Sequence, residues 1–195
     1  MHPPRSLGFA PLVVAALLAG CSPSLPARYV VEREIGDYAY RRYQHVLDVE
    51  WVVADNPGEG HTAVYVRRAA AADGSDMRLA SAFVSVYDHA ASLAAEVKTR
   101  IEGLGSYEAS VVEHERAHVW LLDGGEDRFL LWVSGRFVVK LGAAGGAELP
   151  EDLVERYLDI YPSDLDEHGR ARPGTASVGQ PQDVEEPTPE LPMLA

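Results

Sequence analysis

Between Val119 and Leu141 the chain alternates short apolar runs with tight-turn residues. Val119–Leu122, Asp123-Gly124-Gly125, Phe129–Val133, Ser134-Gly135 and Phe137–Leu141 follow one another with almost no spacer. Connections this short join neighbouring antiparallel strands, because a parallel pair needs a crossover of a dozen or more residues. The window predicts a meander, and the remainder of the fold must be built around an antiparallel sheet.

Upstream, Tyr29–Arg33 reads as a short strand, and Val46 to Val53 as a second with Leu47, Val49, Trp51 and Val53 on one face. Asn56-Pro57-Gly58 and Gly60 mark a turn, and Thr62–Arg67 returns as a strand. Ala72–Asp76 is a loop, followed by the alternating strand Leu79–Tyr87. Asp88 is placed to N-cap a helix whose apolar stripe is Ala90, Leu93, Ala94, Val97, Ile101 and Leu104, with Gly105 just beyond its end. Pro150 opens a last helix with Leu153, Val154, Tyr157, Leu158 and Tyr161 on its apolar face, and Pro162 ends it. The expected fold class is α+β: a mainly antiparallel sheet with two amphipathic helices on one face.

Residues 163–195 hold five prolines, seven acidic residues and two arginines without helical or strand period. Such a stretch buries too little apolar surface to offset its ordering entropy, so it reads as a disordered acidic tail. The organisation expected is a leader over residues 1–20, a tether over 21–27, one α+β domain over 28–162 and the tail over 163–195. The net charge of −13 argues against a nucleic-acid binder, which needs a basic surface, and favours basic partners or metal cations. A single cysteine excludes a disulfide framework and a Cys-rich metal module.

The leader carries the most specific signal. Arg5 supplies a positive start, Leu7 to Leu18 form an apolar run too short to span a bilayer, and Leu18-Ala19-Gly20-Cys21 closes it with small residues before a cysteine. This run resembles the lipobox of bacterial lipoproteins, and the body of the chain loosely resembles uncharacterised members of that group. The resemblance implies cleavage before Cys21 and acylation of Cys21 by chains of the palmitate class. Two or three acyl chains anchor stably where one is marginal. Ser22 after the cysteine implies, by the same analogy, the periplasmic side of the outer membrane.

One motif bears on catalysis: His114-Glu115-Arg116-Ala117-His118, an H-E-x-x-H. On a helix its histidines stand one turn apart and can share a zinc while the glutamate activates water. Here the motif resembles the zincin metallopeptidases, which implies His114 and His118 as ligands, Glu115 as general base and Glu151 or Glu155 as third ligand. Arg116 fits that family poorly, and the metzincin continuation is missing, with Leu121 and Gly124 in place of its glycine and histidine. The competing reading makes Ala109–Val112 and Ala117–Leu122 strands, with Glu113–Arg116 a polar edge or turn; the segment then holds no metal.

Other groups read as structure. His45, His61 and His89 look isolated, Arg41-Arg42 beside Tyr38, Tyr40 and Tyr43 reads as a solvated strand edge, and Trp120 and Trp132 as core. Asp73-Gly74-Ser75-Asp76 is a turn, lacking the rest of a calcium loop. The function expected is a lipid-anchored envelope protein with no cofactor, acting as a non-catalytic interaction or accessory module for an envelope protein or small ligand. A membrane-tethered zinc peptidase is the alternative.

Overall fold

The computed structural model describes residues 24–46, 49, 51–68 and 79–173. The leader with Cys21, the loop at 72–76 and residues 174–195 of the expected tail lie outside them. The core of the fold is one seven-stranded antiparallel sheet. Its strands are β1 (Tyr38–Val46), β2 (Gly58–Arg67), β3 (Leu79–Tyr87), β4 (Glu108–His114), β5 (Ala117–Asp123), β6 (Arg128–Ser134) and β7 (Phe137–Ala143). Among the described residues two α-helices, α1 (Leu93–Glu102) and α2 (Glu151–Ile160), and a 3-10 turn at Ala144–Gly146 complete it. The strand order β1-β2-β3-β7-β6-β5-β4 joins two meanders, with β7 returning beside β3.

Both sheet faces are covered, which corrects the expectation of two helices on one side. Every residue of β7 is buried, and consecutive strand residues point to opposite faces, so each face must have a layer over it. On one face α2 packs: Tyr157 Oη lies 2.9 Å from Tyr65 Oη, and Trp132 Nε1 donates to Tyr161 O at 2.7 Å. On the other face α1 lines a cleft with Val133, the neighbour of Trp132 in β6. The helical stripe of α1 is as expected, with Leu93, Ala94, Val97 and Ile101 buried. Its start is not at Asp88. The Asn56 side chain grips both the N–H and the C=O of His89, holding that stretch out of helix, and Ser92 precedes the first turn. The end is at Gly103, ahead of Gly105.

The two segments expected as the first strands are irregular. Tyr29–Arg33 is clamped on the α2 face by tyrosine hydroxyls instead of a ladder. Tyr65 Oη donates to Val31 O, Tyr157 Oη accepts from Val31 N, and Tyr161 Oη donates to Tyr29 O. Burial lifts the Tyr157 hydroxyl to about 12 and pushes Tyr65 and Tyr161 up as well, so all three stay neutral donors and acceptors. The strand expected at Val46–Val53 lies earlier, as β1, while Trp51 and Val53 are buried in the loop after it.

The domain does not stop at Pro162. The β5–β6 ladder runs only from Trp120↔Leu131 to Asp123↔Arg128. Where it lapses, the segment after α2 enters: Ser163 Oγ donates to His118 O, Asp164 N donates to Val133 O, and Leu165 forms a bridge with His118. Leu165 is fully buried. The chain thus threads from the α2 face to the α1 face between the parted strand ends. Gly169 then lies against Trp120 with φ +66, where a Cβ would come within 2.3 Å of Trp120 Nε1, and Lys98 of α1 donates to His168 O. The boundary moves from Pro162 to at least Pro173, because apolar Leu165 and a set of turn bonds order residues whose composition looks disordered.

Asp166 ties this strap together by accepting from the backbone N–H groups of Arg170 and His168 and from the Arg170 side chain. The Arg170 N–H is the main cause that holds its carboxyl down at about 2, against an ordinary 3.8. A depressed carboxylate stabilises the fold above its ordinary value and loses that contribution as pH falls through the folded one. The protection of the Leu165 amide, with the intrinsic pH dependence of exchange divided out, is therefore expected to fall between pH 3.8 and about 2. In Asp166→Asn the strap should already exchange faster at neutral pH and show no step in that window.

Candidate functional site

The H-E-x-x-H segment is a β-hairpin, so the helix that a shared zinc requires is not formed. His114 ends β4, Glu115 and Arg116 make the turn, and Ala117 begins β5. The register pairs His114 with Ala117 and Glu113 with His118, and directly paired residues share a face. His114 and His118 consequently project from opposite faces of the sheet. The strand reading of this segment describes it, with the turn at Glu115 and Arg116 falling between the two histidines. Glu115 occupies the turn at φ 54, a conformation that favours Gly or Asn. His114, Glu115 and Glu155 do line one cleft between the hairpin and α2, whereas Glu151 and His118 are not among its lining residues.

The titratable cluster that does converge lies at the other end of the sheet, on the α2 face. It consists of His45, Glu59 and His61, whose ligand-type atoms all lie within 4.8 Å of one another. Among the described residues it is the one such group of three or more histidine, cysteine or acidic side chains. His45 and His61 are directly paired across β1 and β2, and Glu59 is two residues before His61 on the same face. The Glu59 carboxylate reaches both rings, with Oε2 3.3 Å from His45 Nε2 and Oε1 3.3 Å from His61 Nε2. The imidazole rings stack at 25° with centroids 5.2 Å apart.

A register irregularity in β1 brings the histidines together. Tyr40 pairs with Tyr65 and Arg42 with Val64, leaving Arg41 as the extra residue of a bulge. Before the bulge Tyr38 and Tyr40 face α2; after it the phase reverses, and Tyr43 and His45 take that face. Without the inserted residue His45 would point away from His61. The bulge also twists an edge strand and thereby discourages pairing with another chain.

His61 is held from several sides. Its ring is 6% exposed, against 43% for His45 and 50% for Glu59. Tyr43 Oη lies 2.9 Å from His61 Nδ1, and the Tyr29 ring packs on it with centroids 4.8 Å apart. Arg28 stacks its guanidinium over Tyr43 and pairs with Glu32. His61 Nε2 is buried and its contact with Glu59 falls outside hydrogen-bond geometry, which leaves it without a hydrogen-bond partner. Burial is the main influence on the His61 imidazole and lowers its pKa, with Glu59 opposing.

Reading His45 and His61 as isolated overlooked this grouping, and Glu59 drew no attention at all. The signal was present but needed a register: the two histidines flank the Asn56-Pro57-Gly58 turn, and only the bulge sets them opposite each other. Arg41 and Arg42 do sit on an exposed strand edge, and Trp120 and Trp132 are buried. No family model matches the chain, and no curated protein or solved structure matches it.

Proposed function

We propose that this chain is a lipid-anchored protein of the cell envelope. Cys21 carries the lipid on the periplasmic side of the outer membrane, and the folded domain serves as a binding or accessory module. The observation that carries the reading is Leu18-Ala19-Gly20-Cys21 at the end of a short apolar run. The start of the fold is compatible with it. Val30 and Val31 are already core residues, so the nine residues from Cys21 to Tyr29 are all that could separate bilayer from domain. Fully extended, nine residues reach at most about 30 Å, and the turn that Tyr29 N closes on Pro26 O shortens that reach. The face on which Tyr29 packs would then ride close to the lipid headgroups.

A binding role fits better than hydrolysis. The hydrolase-like motif is spent in a hairpin turn that splits its two histidines between faces. An acidic surface at net charge −13 suits basic protein partners or cations, drawn in by its field. No helix among the described residues is long and apolar enough to cross a membrane.

Growth with a traceable fatty acid tests the anchor. The wild-type chain is expected to take up label, and Cys21→Ser is expected to take up none. A wild type that stays unlabelled, or a Cys21→Ser chain that is labelled like it, would overturn the reading.

A further inference from the structure

We propose that His45, Glu59 and His61 form a solvent-open binding site for one divalent transition-metal ion of the zinc class. The inference goes beyond the envelope anchor and does not depend on it. Two imidazole nitrogens and a carboxylate are a ligand set that borderline-soft divalent ions accept, and a site with three protein ligands leaves a position for water. The spacing suits it. Ligand atoms about 2.0–2.1 Å from a tetrahedral ion stand about 3.3 Å from each other. Glu59 lies at 3.3 Å from each histidine nitrogen, through a different carboxylate oxygen for each, and one ligand atom from each residue falls within 4.8 Å of the others, so a small closure brings all three onto one ion.

The buried His61 Nε2 is the strongest pointer. A nitrogen shut away from water with no hydrogen-bond partner costs free energy unless something occupies it. It faces the cluster, and its ring cannot turn away, because Tyr29 packs on it and Tyr43 holds Nδ1. With the Nδ1–H donating to Tyr43 Oη, the Nε2 lone pair is free for a metal. That is the outer-sphere arrangement that fixes a metal-binding histidine in one tautomer. Arg28 over the Tyr43 ring, itself paired to Glu32, braces this support.

The ligands differ in freedom. His61 is buried on β2 and rigid, while His45 and Glu59 are about half exposed. The site is therefore half built: one buried nitrogen inside and two exposed ligands that an arriving ion reaches from solvent. Such a site exchanges its ion with the medium, unlike a closed structural zinc centre. The bulge at Arg41 has a use in this account, since it alone turns His45 toward the other two.

The test is calorimetric titration of the full chain in detergent with Zn2+, beside elemental analysis of bound zinc. One zinc per chain is expected. His45→Ala and Glu59→Gln should each weaken binding at least tenfold, and both positions are exposed enough that the metal-free melting temperature should hold. Tyr43→Phe, a positioning change that touches no metal, should weaken it about 10- to 100-fold with stoichiometry retained. His61→Ala should abolish binding, but it alters a buried position, so the exposed variants decide. His114→Ala should bind as wild type. Absence of zinc binding by the wild type, or unchanged binding in both His45→Ala and Glu59→Gln, would overturn the proposal. Loss in His114→Ala with retention in His45→Ala would move the metal to the hairpin cleft and overturn it equally.

Discussion

A chain ending at Pro162 is expected to unfold about 10 °C below one ending at Pro173, if it folds at all. The largest loss is Leu165, fully buried between the parted ends of β5 and β6. Removing a buried leucine side chain costs about 2–5 kcal/mol, and for a chain of this size each kcal/mol moves the melting temperature by roughly 2–4 °C. The truncation also strips Val133 O and His118 O of their partners and uncovers Trp120 where Gly169 packs. Thermal melts of the two truncated chains beside the full one make the comparison. Equal melting temperatures would show that the strap rests on the domain without supporting it.

Trp132→Ala is expected to cost about 3–5 kcal/mol, within the range for emptying a large buried aromatic site. Trp132 has no exposed surface, stands on β6 under α2 and donates its indole N–H to Tyr161 O at 2.7 Å. Set against a domain stability of about 5–15 kcal/mol, that loss leaves little or no margin. Trp132→Phe separates the contributions: it keeps most of the packing and loses the hydrogen bond, for about 1–2 kcal/mol. Urea unfolding of both variants gives the two numbers. Near-equal costs would mean that the Tyr161 tie, and not the filled volume, holds α2 on the sheet.

The elements legible in the sequence are those with uninterrupted patterns. Leu79–Tyr87 is a strand at the expected residues because its alternation has no break and it lies in the middle of the sheet. The last helix lies where Pro150 and Pro162 bracket an apolar stripe, and the meander follows its glycine turns. What failed to show has a physical cause in each case. β1 is an edge strand with a bulge, so its polar residues and broken phase hide a ladder that pairs with β2 at every residue but Arg41. The side on which each helix lies depends on β7 being buried throughout, a long-range fact that no local period contains. Residues 163–173 have a tail's composition and yet one leucine that fits a gap between strands. The His45–Glu59–His61 grouping depended on the same bulge that hid β1.

The envelope anchor is the central claim, and the mass of the N-terminal peptide of the protein taken from its native membrane tests it most directly. The account predicts that residues 1–20 are gone, that the chain begins at Cys21 and that this cysteine carries a diacylglyceryl group, with or without a further acyl chain on its amino group. A chain that retains residues 1–20, or one that begins elsewhere with an unmodified Cys21 thiol, would contradict it.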